Sequence, residues 1–383
     1  MLPPSERKGD EMGGIWIYER HRRGRRVAWL ASSALVVIAL VLTSVAASAE
    51  DGLPHVAFEG SPDGEHTSVR ATDQAGNAVT LNKDAEPFLS INGGRVAFTH
   101  NHKNSAFASD VIVKDATTGE RLYKIPDARW PLIFGDGTQV LFQPDRNGGR
   151  LDPEERDPYV NSVWYRDLVS GEERKLYQGE DADLKPMNFA VTPAGDRAAF
   201  DVGNDTFLFE WNIWIVDVDG TGLEQLTTDD RSLSPSFSPD GQTIAYTRMI
   251  PSRPCRGGLR LMDTDGSNVR VLARNACDAH FSRPVWLDDQ TIVSLVWERH
   301  PKGWYDPTSL VTVSVETGEV QEIVDGFVAD YVVARDAGQV IFRRLKGRIV
   351  AYDTATATTT TIPSGKELPG WHLHAEGSLE LSI

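Results

Sequence analysis

The chain has 383 residues, with 39 basic against 55 acidic side chains and a formal net charge of −16. That balance leaves no clustered Lys and Arg surface to neutralise phosphates, so nucleic acid is not an expected partner. The length exceeds one ordinary domain but suits a repeat architecture folded as a single body.

Residues 1–26 read as a basic leader ending in Arg20, Arg22, Arg23, Arg25 and Arg26, and residues 27–49 carry no charge. Ala47-Ser48-Ala49 fits the small-residue cleavage pattern of a secretory signal. The uncharged run also reaches the roughly 20 residues needed to cross a bilayer as a helix. Both readings stand, a cleaved signal or a retained transmembrane anchor. Either one sends residues 50–383 outside the cytoplasm under the positive-inside rule. That part carries 32 basic and 51 acidic residues, which fits a soluble body.

From residue 54 onward short apolar runs alternate with turn residues. His55-Val56-Ala57-Phe58, Ser68-Val69-Arg70 and Val79-Thr80-Leu81 read as three strands. Six similar units follow, starting at Pro87, Pro131, Pro186, Pro235, Pro284 and Tyr331, at intervals of 44, 55, 49, 49 and 47 residues. Each interval holds four short strands. After the sixth unit, Leu373 and then Leu379-Glu380-Leu381 read as an innermost strand with a further strand behind it.

The clearest unit runs from Asn212 to Arg248. Ile213, Trp214, Ile215 and Val216 place apolar groups on both faces of an extended segment, as in a strand buried between two layers. Asp219-Gly220 and Asp240-Gly241 are turn pairs, and Pro239 belongs to a turn because it cannot donate to a ladder. Ile213-Trp214 with Asp217, Asp219-Gly220, Leu226-Thr227 and the run from Pro235 through Phe237-Ser238-Pro239-Asp240-Gly241 to Ile244-Ala245-Tyr246 resemble the TolB-type repeat, also called the WD40-like or PD40 repeat. The resemblance implies an all-β propeller whose four-stranded blades surround a central channel. Seven blades are expected, with six as the alternative. The seventh combines residues 54–81 with residues 369–383, which would remove the open sheet edges. TolB carries a separate α/β domain before its propeller. Here only residues 50–86 lie between the hydrophobic segment and the first full repeat, so TolB's partner contacts do not carry over.

Catalytic motifs are missing: no Gly-x-Ser-x-Gly elbow, His-Glu-x-x-His or P-loop occurs. No catalytic residue is assigned. His100 and His102 are spaced as a strand-face pair without an evident third metal ligand. Asp145, Asn147, Asp152 and Glu155 sit in a loop resembling an EF-hand with its fifth-position acid deleted. Calcium needs six to eight oxygens and an intact register. The loop therefore reads as a solvated acidic segment, with calcium as the alternative and no other cofactor expected.

Connections after the second and fourth strands of each unit emerge at one end of a propeller. They carry His100, His102, Phe207, Phe209, Trp211, Arg253, Arg256, Trp297, His300, Trp304 and Tyr305. Aromatic residues with Arg and His are enriched at binding surfaces. The binding-face candidates are His100, His102, Arg253, Arg256, Trp297, His300, Trp304 and Tyr305. Cys255 and Cys277 both fall in connections at that end, within reach of the roughly 4.4–6.8 Å Cα separation a disulfide requires, and are expected to be joined. The expected role is a monomeric, non-enzymatic module of the cell envelope that binds a protein or envelope polymer. The alternative is an extracytoplasmic lyase or glycan hydrolase with its site at the channel. Calorimetry on residues 50–383 is expected to show no heat at millimolar calcium; saturable heat would instead make the 145–155 loop a calcium site.

Overall fold

The computed structural model describes residues 56–60, 68–72, 78–83, 88–102, 109–144, 161–179, 184–204, 210–250, 254–300, 305–344, 348–362, 373–375 and 380–381. The expected hydrophobic helix at 27–49 lies outside them.

Seven antiparallel sheets form a ring. Blade 1 holds Leu89–Asn92, Arg95–Asn101, Ser109–Asp115 and Arg121–Ile125. Blade 2 holds Ala128–Phe134, Gln139–Pro144, Ser162–Asp167 and Glu173–Gln178. Blade 3 holds Lys185–Val191, Arg197–Gly203, Asn212–Asp217 and Glu224–Gln225. Blade 4 holds Ser232–Phe237, Thr243–Arg248, Gly258–Asp263 and Arg270–Arg274. Blade 5 holds Ala279–Asp288, Thr291–Arg299, Tyr305–Ser314 and Val320–Asp325. Blade 6 holds Val328–Ala334, Gln339–Arg344, Ile349–Asp353 and Thr358–Ile362. Blade 7 has Leu373–Ala375 innermost, followed outward by Val56–Gly60, Ser68–Thr72 and Ala78–Lys83. The blade number is therefore seven, and the six-bladed alternative does not hold.

Burial follows position in the blade. Six of the seven residues of Arg197–Gly203 are buried, because a second strand is covered on both faces by the neighbouring blades. Thr358–Ile362, an outermost strand, exposes its first four residues. Fully buried Phe98, Phe134, Phe189, Phe200, Phe237 and Phe342 fill the spaces between blades. Each such ring removes about 150–250 Å² from water.

One end of the ring is built from tight turns with a recurring wiring. Asp115 Oδ1 accepts from the Thr117 and Thr118 amides at 3.0 and 2.7 Å, and Asp167 Oδ1 accepts likewise from Val169 and Ser170. Gly119 and Gly171 close these turns at φ 71° and 77°, where a side chain would strain the backbone. The amides of Ala116, Leu168, Val218, Thr264, Val315 and Thr354 then donate to the inner turn of the same blade. Between blades, Arg95 and Arg197 donate to the carbonyls of Gly137 and Gly241 in the Asp-Gly turn of the next blade.

The inner strands of blades 2 to 5 share a second device. Trp130, Asn188, Ser234 and Arg283 each sit at positive φ within a bulge. A polar residue on the preceding blade's second strand receives two of the freed amides. Trp130 N donates to Thr99 Oγ1 at 3.0 Å, and Ser234 N to Asp201 Oδ2 at 2.7 Å. Bulging bends the inner strand around the channel.

Closure joins the two halves of the sequence. Val56, Ala57 and Phe58 pair with Ala375, His374 and Leu373. The further strand expected in this blade is not there. Glu380 and Leu381 pair instead with Ala190 and Phe189, on the channel-side edge of blade 3. All four positions of blade 7 are filled, and the later segment adds a fifth strand to blade 3. Deleting residues 369–383 should leave blade 7 three-stranded, lower the melting midpoint by about 10 °C or more and bring concentration-dependent aggregation. An unchanged melt would mean that closure contributes little.

Candidate functional site

The two ends of the ring differ in kind. One is the turn-built face just described. The other carries the longer connections, of which the longest joins Gln139–Pro144 to Ser162–Asp167. On that second face blade 5 stands out. Its first three strands have 10, 9 and 10 residues, against six in each of the corresponding strands of blade 4. The register puts the surplus at the loop-bearing end, where Ala279, His280, Trp297, Glu298, Arg299 and Tyr305 to Pro307 pair beyond the neighbouring blade's limit. At about 3.3 Å per residue the three extra positions raise the blade by roughly 10 Å.

Three rings meet on this projection. His280 and Trp297 are direct cross-strand partners with planes 7° apart and centroids 6.4 Å apart. Tyr305 meets His280 edge-on at 4.7 Å. All three are half-buried, and Trp297 packs against the core shared with blade 6. Burial pushes the His280 imidazole down to about 4, which keeps it neutral near pH 7.

The approach to the projection is fastened. Cys255 and Cys277 form a disulfide with a Cα–Cα distance of 4.4 Å, tying the short 3-10 turn Pro254–Arg256 to the connection that enters blade 5. Gly258 sits at φ 144°, and a Cβ there would lie 2.1 Å from the Ala273 carbonyl oxygen. Only glycine lets the Cys255 segment return to the sheet so close to Arg270–Arg274. Asn275 accepts the Phe281 amide at 3.0 Å, and the Arg299 amide donates to Asp278 at 2.6 Å.

The predicted residues separate into groups. Trp297 and Tyr305 come together on blade 5, with His300 half-buried at the end of the same hairpin and Arg256 exposed beside the disulfide. His100 and His102 do not form a pair. His100 accepts from Asn82, whereas His102 meets Asp110 at 2.7 Å, beside Lys124 at 2.6 Å from the same carboxylate. Burial would raise the Asp110 carboxyl, but those contacts lower it below its ordinary value. Trp211 is buried. Arg253, Phe207, Phe209 and Trp304 lie outside the described residues, as do Asp145, Asn147, Asp152 and Glu155. Among the described residues no group of three or more His, Cys, Asp or Glu side chains is placed to hold a metal.

Two residues escaped the sequence reading. His280 had a weak signal: it lies three residues after Cys277. Asp201 had none. It is fully buried, accepts from Asn188 and from the Ser234 amide at 2.7 Å each, and burial raises its carboxyl to about 7. Its role is to hold two bulges in place. A cavity of about 440 Å³ between blades 4 and 5 opens on the opposite, turn-built face, beside Asp240, Asp263 and Trp286. Asp240 and Asp263 already serve their own turns, through Ser238 and Asn268.

No protein-family model matches the sequence, and no curated protein matches it. Solved structures do. The tricorn protease aligns at TM-score 0.56 and 14% identity over 82% of this chain and 35% of its own, so this chain spans about a third of that protein. An oligogalacturonate lyase from Vibrio parahaemolyticus aligns at TM-score 0.53 and 15% identity, over 81% of this chain and 84% of its own. TolB from Acinetobacter baumannii is a further match, at TM-score 0.48 and 14% identity, covering 84% and 83%. The first two likenesses show the fold. It is a seven-bladed β-propeller. At such identities nothing passes from these proteins to this one beyond architecture.

The site makes two predictions. Replacing both Cys255 and Cys277 with Ser should cost about 3 kcal/mol, from the closed loop of 22 residues, read as a shifted denaturation midpoint. The second concerns pH. His280 has a folded value below its unfolded one, so its contribution is present above about 6.5 and lost as pH falls through 4. Asp201 has a folded value above its unfolded one, so its contribution is present below about 4 and lost as pH rises through 7. Relative to wild type, His280→Gln should therefore gain stability on going from pH 7 to 4.5, and Asp201→Asn on going from 4.5 to 7. Each effect should be on the order of 2 kcal/mol in paired chemical melts. Parallel pH profiles for all three proteins would contradict the assignment.

Proposed function

We propose that the protein is an extracytoplasmic binding module of the cell envelope that grips a protein or envelope polymer through the blade 5 sector of its loop-bearing face. One observation carries this reading. Among the described residues blade 5 alone extends its first three strands at that end, and the extension carries His280, Trp297 and Tyr305 half-buried, with a disulfide fastening the connection that enters the blade. Anchors of binding surfaces are typically aromatic, rigid and partly covered. Arg256 adds an exposed cation at the margin.

Placement outside the cytoplasm is supported by the disulfide, since paired cysteines persist in oxidising compartments. Residues 27–49 would deliver the propeller there as a cleaved signal or hold it at the membrane as an anchor. The remaining residues 50–383 would act as one domain, working as a monomer.

Recovery of partners from the envelope checks the reading. The double variant Trp297→Ala, Tyr305→Ala should lose about ten-fold or more of the material that wild type retains, with Arg256→Glu, a change at an exposed position, reducing it less. Circular dichroism melts establish that the variants fold. Undiminished recovery would remove this face from the account. Turnover of envelope glycans by the pure chain would favour the lyase or hydrolase reading.

A further inference from the structure

The end of the chain does something the repeat pattern does not require. After the closing strand Leu373–Ala375, Glu380 and Leu381 pair antiparallel with Ala190 and Phe189. The strand Lys185–Val191 is the innermost of blade 3, and its other edge is already paired with Arg197–Gly203. The tail therefore lies on the channel side. Blade 3 is three places from blade 7 around the ring. Four residues of chain separate the two strands in sequence, a reach of at most about 18 Å.

We propose that the channel-side edge of blade 3 is a receptor for an extended peptide strand, and that the chain's own C-terminal segment is its resident and displaceable occupant. Three features support it. The receptor edge is a real strand edge: Phe189 and Ala190 sit just past the bulge at Asn188, whose positive φ turns the strand where the pairing occurs. An unpaired strand edge templates another strand, and adding a strand to such an edge is a general mode of peptide recognition. The tail has a strand's sequence. Leu379, Leu381 and Ile383 alternate with Ser378, Glu380 and Ser382, the period of an extended segment with one apolar and one polar side. The ladder is short. Among the described residues only two pair, and a short tether keeps the tail's local concentration high. A free strand of like pattern, carried by a partner protein, would compete for the edge.

This site is separate from the aromatic projection on blade 5, and either can fail without the other. The test uses the chain truncated after Ala375, which keeps the closing strand, and the full-length variant Glu380→Pro, which cannot donate from that position. The probe is a fluorescent peptide of residues 377–383. Peptide affinity is expected to be at least ten-fold higher for the truncated chain than for wild type, with Glu380→Pro in between. Hydrogen exchange at the amides of residues 187–191 should quicken on truncation and slow again when peptide is added. Equal affinity for truncated and wild-type chains, no measurable binding to either, or exchange at 187–191 indifferent to the tail would each overturn the proposal. The pairing itself is checked by Ala190→Cys with Glu380→Cys, which should crosslink under mild oxidant; failure to crosslink removes its basis.

Discussion

Everything in this molecule depends on three pairs of residues: Val56 with Ala375, Ala57 with His374, Phe58 with Leu373. A blade is a small sheet that cannot cover its own faces. Each one buries its inner strands only because blades stand on both sides, and that condition holds for all seven only if the ring is closed. Sharing the seventh blade between the two ends of the described chain meets it. Val56 and Phe58 then complete a core with Ile341, Ile349 and Ile362 of blade 6, while Ala57 and Val69 pack against Leu89 and Phe98 of blade 1.

The closed ring leaves two ends free to differ, and they do. At the turn-built end Asp-capped turns, amide links between turns and arginines reaching into the next blade satisfy the backbone locally. Exposed Val169, Leu223 and Val269 are scattered singly there and form no patch. At the other end, the lengthened strands of blade 5 carry an aromatic group beyond the neighbouring blade's limit, with Trp297 packed on the core shared with blade 6. The contrast between a self-satisfied face and one that projects half-buried rings is what directs the functional reading.

The repeat was legible because its signals are local. Asp-Gly pairs, the Ile-Trp strand and the Pro-Asp-Gly turn each fix a few residues, and six recurrences fix the order of strands. The seventh blade was legible for the same reason, since three strands were left over at one end and one at the other. The pairing of Cys255 with Cys277 followed from which connections share an end. What could not be read was long-range. The alternating pattern at Leu379–Leu381 announces a strand but says nothing of which edge accepts it, and that edge belongs to residue 190. Asp201 looks like any strand residue until Asn188 and Ser234, on two different strands, are seen to converge on its carboxylate. His100 and His102 looked paired because strand periodicity aligns i and i+2, yet each has its own acidic or amide partner. The extra height of blade 5 is a matter of register, which only the observed pairing supplies.

The central functional claim is that one end of the ring meets a partner and the other does not. A photo-crosslinking side chain at position 305 in living cells tests it directly, with the same group at position 169 as the control, since Val169 is 72% exposed on the turn-built end. The account predicts discrete adducts from position 305 and none from 169. Equal adducts from both positions, or adducts from 169 alone, would contradict it.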